Sequence, residues 1–152
     1  MVDTVTLKNR IIRIIAATRF PFVDQEDWGE GYITIVNDEV KRRGIETETE
    51  IVYPNIVITL TDGRIQEIGE VVTEDGVNVA NVPKWRLFSD SAGKGRFVKK
   101  FFLYVPEGSE EKAVKLLENN NIEFSGVRTY VVKNGNLVIT PIKSNDGPHD
   151  HR

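Results

Sequence analysis

Phe101-Phe102-Leu103-Tyr104-Val105 is the stretch that decides the fold, because five consecutive apolar residues predict a strand buried on both faces of a sheet. Ser109, followed by two acidic residues and an amphipathic pattern, predicts a helix directly after this strand. A β-branched run over 127–132 predicts another strand beyond the helix. This strand–helix–strand order predicts a right-handed crossover, which lays the helix on one face of the sheet.

Outward from this unit, the chain alternates helical and extended patterns. Isoleucines at helical spacing predict a helix over 4–17, and a second helix is predicted over 30–43 and ended by Gly44. A short amphipathic stretch over 83–89 is typical of a third helix. Further strands are predicted at 47–53, 56–60, 65–72 and 137–139. The element order predicts an α/β protein of three layers, α/β/α, with a mixed central sheet.

Length and composition favour one domain. The 152 residues, 39% of them hydrophobic and 28% charged, predict a single α/β domain over 1–142 and a flexible polar tail over 143–152. No apolar run approaches the roughly 18 residues of a membrane span, and the N-terminal residues do not resemble a signal peptide. We therefore expect a cytoplasmic protein with no membrane partner. A homodimer and a monomer both stay open.

The residue types that are missing limit the chemistry. The chain has no cysteine, which excludes a disulfide scaffold, a thiolate zinc site and a cysteine nucleophile. Its two histidines, His149 and His151, both stand at the end of the predicted tail. This position disfavours a histidine-based catalytic triad and a histidine-rich zinc site. An enzyme built on this chain is expected to use carboxylates, lysines or a bound metal.

Charge is unevenly distributed along the chain. The net charge is −3, yet the segment 84–100 contains six basic residues and one acidic residue. A basic segment on an acidic protein predicts a contact with phosphate or another anion, although a solvated basic loop is an equally simple interpretation. The residues predicted to contact nucleic acid are Lys84, Arg86, Lys94, Arg96 and Lys99.

Glu70 is the carboxylate most indicative of function. It stands between Ile68 and Val72 in a predicted strand, where burial is costly unless the charge is paired or bound to a metal. Because the basic segment follows soon after, the pattern suggests metal-assisted phosphodiester chemistry. A simpler alternative is an exposed carboxylate at the strand end, or one paired with Arg64 or Lys84.

Several short stretches resemble the PD-(D/E)XK nuclease-like superfamily, the restriction-endonuclease-like domains, over roughly residues 30–140 in element order. The resemblance rests on Pro54-Asn55, Gly69-Glu70-Val71-Val72-Thr73-Glu74, Trp85, Phe102-Leu103-Tyr104-Val105-Pro106-Glu107-Gly108 and Gly126-Val127-Arg128-Thr129-Tyr130. It implies a restriction-endonuclease-like fold. It also implies a hairpin that brings an Asp and a Glu-x-Lys pair together around one or two magnesium ions.

The resemblance assigns roles to individual residues. Glu70 matches the acidic residue of Glu-x-Lys and is the implied metal ligand. Asn55 stands where the family has Asp, and is the second, weaker ligand of the implied magnesium site. Val72 stands where the family has Lys, a role that some members transfer to the following helix, where Lys84 or Arg86 could carry it.

Two functions follow from this resemblance. The first is a divergent magnesium-dependent endonuclease or phosphodiesterase, with Glu70, Asn55 and Lys84 as catalytic residues. The alternative is a nuclease-fold domain without catalysis that binds nucleic acid or a partner protein. Glu39, in the second predicted helix, loosely matches an extra acidic residue that many family members carry.

Overall fold

The computed structural model describes residues 4–19 and 31–146. Within these ranges one helix is followed by five consecutive strands, and helices and strands alternate only from residue 82 onward; two short 3-10 turns, Glu74–Gly76 and Val79–Asn81, precede the second helix. The helices are α1 (Thr4–Arg19), α2 (Val82–Ser91) and α3 (Glu110–Asn119). The strands are β1 (Ile33–Val36), β2 (Ile45–Glu46), β3 (Ile51–Val52), β4 (Ile56–Thr59), β5 (Ile65–Val71), β6 (Phe101–Pro106), β7 (Gly126–Lys133) and β8 (Asn136–Ser144).

One mixed sheet of six strands organises the described residues, in the order β1-β4-β5-β6-β7-β8. The three central strands β5, β6 and β7 are parallel, and the outer pairs are antiparallel. Strands β2 and β3 form a separate antiparallel ladder. The predicted α/β class with a mixed sheet is therefore confirmed.

Strand β6 separates two hydrophobic cores. Phe101, Leu103 and Val105 pack on the side of α2 and α3, whereas Phe102 and Tyr104 pack on the side of α1. All five side chains are fully buried. Because successive side chains of a strand point to opposite faces, one apolar run serves both cores, as its sequence predicts.

Helix α1 covers one face of the sheet. Its buried residues Ile11, Ile12 and Ile15 pack against Ile56 and Ile58 of β4. The helix confirms the pattern read over 4–17 and continues to Arg19. None of the helices within the described residues combines the length and the apolarity needed to cross a membrane.

The second helix predicted over 30–43 is wrong. Residues Ile33–Val36 instead form β1, which pairs with β4 at the edge of the sheet. All four residues are β-branched, a composition that favours a strand over a helix. The chain then bends at Asn37, whose buried side chain bonds the backbone of Arg42, Arg43 and Pro54. These side-chain bonds replace the hydrogen bonds that a helix would have made.

Two other sequence boundaries also need correction. The strand predicted over 47–53 is interrupted by a turn at Thr47, so that only the short ladder of β2 and β3 forms. The flexible tail predicted from residue 143 begins too early, because β8 continues to Ser144 and Asp146 is buried. Asp146 pairs with Lys100 at 2.8 Å and accepts the backbone N–H of Phe97. Residues 147–152 lie outside the described part of the chain.

Replacing Ile15 with alanine tests the packing of α1. Ile15 is fully buried, so Ile15→Ala should lower the free energy of unfolding by about 2–5 kcal/mol. The matched control is Val5→Ala in the same helix, where the side chain is 69% exposed and the expected change is below about 0.5 kcal/mol. Urea denaturation followed by circular dichroism measures both. Equal effects of the two substitutions would contradict the placement of α1.

Candidate functional site

The hairpin of β4 and β5 brings Asn55 and Glu70 into direct contact. In its register Ile56 faces Gly69, so the residue before β4 meets a residue near the end of β5. The backbone N–H of Asn55 donates to Oε1 of Glu70 at 2.9 Å, and the N–H of Val71 donates to Oδ1 of Asn55 at 2.7 Å. Both side chains are buried. The two strands are therefore joined here through side chains as well as through their backbone ladder.

Lys84 completes the pairing of Glu70 from the opposite side. It lies in the first turn of α2, and its Nζ is 2.9 Å from Oε2 of Glu70. The Glu70 side chain is 2% exposed and that of Lys84 is 39% exposed. Of the alternatives left open by the sequence, Glu70 is thus buried and paired with Lys84, whereas Arg64 pairs with Asp62.

Lys8 is a residue of this site that the sequence analysis missed. It extends from α1 to a cavity of about 130 Å³, which Glu70, Lys84, Thr73 and Asn81 also line. Burial lowers the pKa of Lys8, and the charge of Lys84 lowers it further, whereas the carboxylate of Glu70 raises it. The sequence did contain a signal for Lys8. This lysine stands three, four and seven residues before Ile11, Ile12 and Ile15, and this helical spacing places it on the face of α1 that packs against the sheet.

Val72 does not offer a charged group to the cavity. Its side chain is packed in the core on the side of α2 and α3 and is 5% exposed. Its carbonyl oxygen accepts the hydroxyl of Tyr130 at 2.7 Å. Burial raises the pKa of Tyr130 to about 12, so this phenol stays protonated and serves as a donor near neutral pH. The end of β5 is thereby fixed to β7.

The donor set at this site does not fit a resident magnesium ion. Mg²⁺ requires near-octahedral oxygen ligands and is held in proteins mainly by carboxylates. Here a backbone N–H and an ammonium group contact the two oxygens of Glu70, and an N–H contacts the amide oxygen of Asn55. Glu70 is the only carboxylate among the described residues that line the cavity. The sequence-based assignment of Glu70 and Asn55 as magnesium ligands stays a prediction.

The basic segment 84–100 is spread over several parts of the surface. Of its residues predicted to contact nucleic acid, only Lys84 lines the cavity. Whether the other four residues contact nucleic acid stays a prediction. The backbones of Lys94 and Lys99 pair in an isolated antiparallel β-bridge. The remaining contacts join Arg86 to the carbonyl of Asn120 at 2.9 Å, Lys94 to Glu123 at 3.2 Å and the guanidinium of Arg96 to the ring of Phe97 at 5.1 Å.

Glu39 lies apart from the cavity. It follows β1 in the bend that replaces the predicted helix, and its side chain is 59% exposed. Its partner is Arg13 of α1, at 3.1 Å. The structure therefore does not bring this carboxylate to Glu70.

The chain matches no protein-family model, and no curated protein and no solved structure is similar enough to it to count as a match. Its function therefore has to be inferred from the geometry around Glu70 and from the motifs that these residues belong to.

The charges around Lys8 predict opposite responses to two substitutions. Glu70→Gln removes the charge that raises the pKa of Lys8, so this pKa should fall further. Lys84→Gln removes a neighbouring positive charge, so the pKa of Lys8 should rise toward the ordinary lysine value. NMR titration of the lysine side chains measures both shifts, with the exposed Lys115 as reference. Shifts in the same direction in both variants would contradict the proximity of these three groups.

Proposed function

We propose that this chain is a nuclease-like domain that binds nucleic-acid phosphodiesters at the cavity of Lys8, Glu70 and Lys84 without cleaving them. The observation that carries the proposal is the convergence of Asn55, Glu70 and Lys84 through direct hydrogen bonds. These residues stand far apart in the sequence, and their convergence is what the resemblance to PD-(D/E)XK nucleases implies. A hairpin supplies the first two, and the following helix supplies the lysine.

The restriction-endonuclease-like fold is part of this proposal. It is supported by the position of the β4–β5 hairpin beside β6, and by helices on both faces of a mixed sheet. Lys84 supports it further, because it approaches the carboxylate of Glu70 from the helix to which some family members transfer their catalytic lysine.

Charge is the reason to expect a phosphate ligand. Two ammonium groups, those of Lys8 and Lys84, line the cavity together with the single carboxylate of Glu70. Lys84 is paired with Glu70, whereas Lys8 makes no ion pair with any residue of the described part of the chain. A partly buried cation without a direct partner is costly, and an anion bound in the cavity would offset that cost. A backbone phosphate supplies such an anion.

The same contacts are the reason to expect binding without cleavage. The amide of Asn55 replaces a carboxylate, and Val72 replaces a lysine. The oxygens of Glu70 are already occupied by an N–H and by the ammonium of Lys84. A metal ion would have to displace Lys84 to reach them. The metal-dependent nuclease is therefore the second candidate, favoured only by the position of Lys84.

Binding is tested by the salt dependence of affinity for DNA. Lys8→Gln should remove one phosphate contact and so weaken the binding of a labelled oligonucleotide. The plot of the logarithm of the association constant against the logarithm of the salt concentration should become less steep by about 1. The matched control is Lys115→Gln in α3, where the lysine is exposed and pairs with Glu111 in the same helix. Fluorescence anisotropy at several salt concentrations gives the slopes. An unchanged slope for Lys8→Gln would exclude this cavity as a phosphate contact.

Cleavage is tested by restoring the missing carboxylate. Asn55→Asp keeps the acceptor for the Val71 N–H and adds a second carboxylate to the end of the hairpin that carries Glu70. We expect no cleavage by the wild-type chain, because both oxygens of Glu70 are already occupied. Metal-dependent cleavage by Asn55→Asp that is lost again in the double variant Asn55→Asp, Glu70→Ala would show that the added carboxylate lets a metal ion displace Lys84. Val72→Lys is unsuitable, because it would bury an ammonium group in the core.

Labelled single- and double-stranded DNA and RNA are incubated with Mg²⁺, with Mn²⁺ or with a chelator. Metal-dependent cleavage by the wild-type chain that disappears in Glu70→Ala would establish the nuclease in place of the binding protein. A folded but inert Asn55→Asp variant would show that one added carboxylate is insufficient to create a metal site here. Thermal denaturation monitors the fold of each variant.

A further inference from the structure

A larger groove lies beside the β2–β3 ladder, and neither the sequence motifs nor the proposed site accounts for it. It has a volume of about 540 Å³ and lies between this ladder, the start of β5 and the end of α2. We call it the Arg43 groove. Its walls include two arginines and one carboxylate, Arg42, Arg43 and Glu46, together with Gly44, Tyr53, Ile65 and Ser91.

Arg43 is the unusual residue of this groove. Its side chain is half-buried, yet its guanidinium makes no hydrogen bond or ion pair with any residue in 4–19 or 31–146. The neighbouring Arg42 differs, because its guanidinium donates to the carbonyl oxygen of Val36 at 2.8 Å and lies 3.6 Å from Asp38. Arg43 therefore offers planar donors to a ligand, and phosphate oxygens match this geometry.

The groove is also lined by apolar residues. Gly44 lies against Tyr53 so closely that a Cβ at position 44 would come within 3.0 Å of the ring and 2.4 Å of Ile51. Gly44 therefore packs directly against the ring of Tyr53 and the side chain of Ile51. Ile45 and Ile65 extend this apolar lining. An aromatic ring with apolar neighbours beside an arginine is the combination that accepts a base and its phosphate.

We infer that the Arg43 groove accepts one unpaired nucleotide of a bound strand, with its phosphate at Arg43 and its base against Tyr53. This inference rests on the proposed function and adds the substrate class, because a base inside a groove cannot be paired. The volume lies in the range of small-molecule sites.

The groove and the cavity lie at opposite ends of the same two elements, because the groove is at the start of β5 and the end of α2 and the cavity is at the end of β5 and the first turn of α2. Tyr53 precedes Asn55 by two residues. Lys41 precedes Arg43 by two residues and lies close enough to Lys8 for their charges to interact. The groove therefore takes a different nucleotide of the strand from the one whose phosphate contacts Lys8 and Lys84.

The first test compares single-stranded oligo-dT with a blunt duplex of equal length by fluorescence anisotropy. We expect the wild-type chain to prefer the single strand, and Arg43→Gln to weaken single-strand binding roughly tenfold. Arg64→Gln is the matched control, because Arg64 is exposed and pairs with Asp62 outside the groove lining. Tyr53→Leu should weaken single-strand binding by a similar factor through loss of stacking, roughly fivefold or more.

A second measurement observes the groove directly. Titration of the labelled wild-type chain with uridine monophosphate should shift the amide signals of Gly44 and Ser91, and Arg43→Gln should abolish these shifts. Amide spectra before titration show whether each variant is folded.

The outcomes separate the two proposals. If Lys8→Gln weakens oligonucleotide binding while Arg43→Gln behaves like Arg64→Gln and uridine monophosphate shifts no groove amide, the groove inference is wrong and the cavity proposal stands. Equal affinity for single strand and duplex also overturns the groove inference. If the wild-type chain binds neither oligonucleotide at low salt, the proposed function itself fails, and the inference fails with it.

Discussion

A carboxylate cannot be buried without compensation, and the contacts of Glu70 show how this protein meets that requirement. Its two oxygens are compensated from different directions, one by the backbone N–H of Asn55 and the other by the ammonium of Lys84. The start of β4, the end of β5 and the first turn of α2 are thereby held together. Loss of either partner would leave a buried charge, so the positions of all three elements depend on this one side chain.

The sheet explains why these groups meet at one edge. Because β4 runs antiparallel to β5, the residue that enters β4 lies beside the end of β5. The chain then leaves β5 through two 3-10 turns and returns as α2, whose first turn faces the same edge. Lys8 reaches this edge from the other layer, so both faces of the sheet contribute a cation to one cavity. This convergence of charge from separate elements is the feature on which the proposed function rests.

The sequence predicted the interior of the fold better than its edges. The apolar run of β6 leaves few alternatives to a central strand, and the turn between β4 and β5 brings Asn55 and Glu70 together by chain connectivity alone. The local sequence pattern did not predict the structure where one contact between residues far apart in the sequence determined it. Asn37 bonds the carbonyl of Pro54, a contact that no periodicity over 30–43 indicates, and this bend replaces the predicted helix. For Lys8 the local spacing indicated the inward face of α1, but its proximity to Glu70 and Lys84 depends on the packing of α1 against the sheet.

The burial of β6 on both faces of the sheet also matters before the native fold has formed. A segment of five apolar residues, without charge and with three aromatic side chains, has the composition of sequences that assemble into intermolecular β-structure. Two lysines precede it, and a proline and a glutamate follow it, which is the arrangement of flanking residues that opposes such assembly. Until the sheet has formed, these four residues are the segment's own protection against other copies of the chain. The strand that joins the two cores is therefore also a segment prone to aggregation during synthesis and refolding.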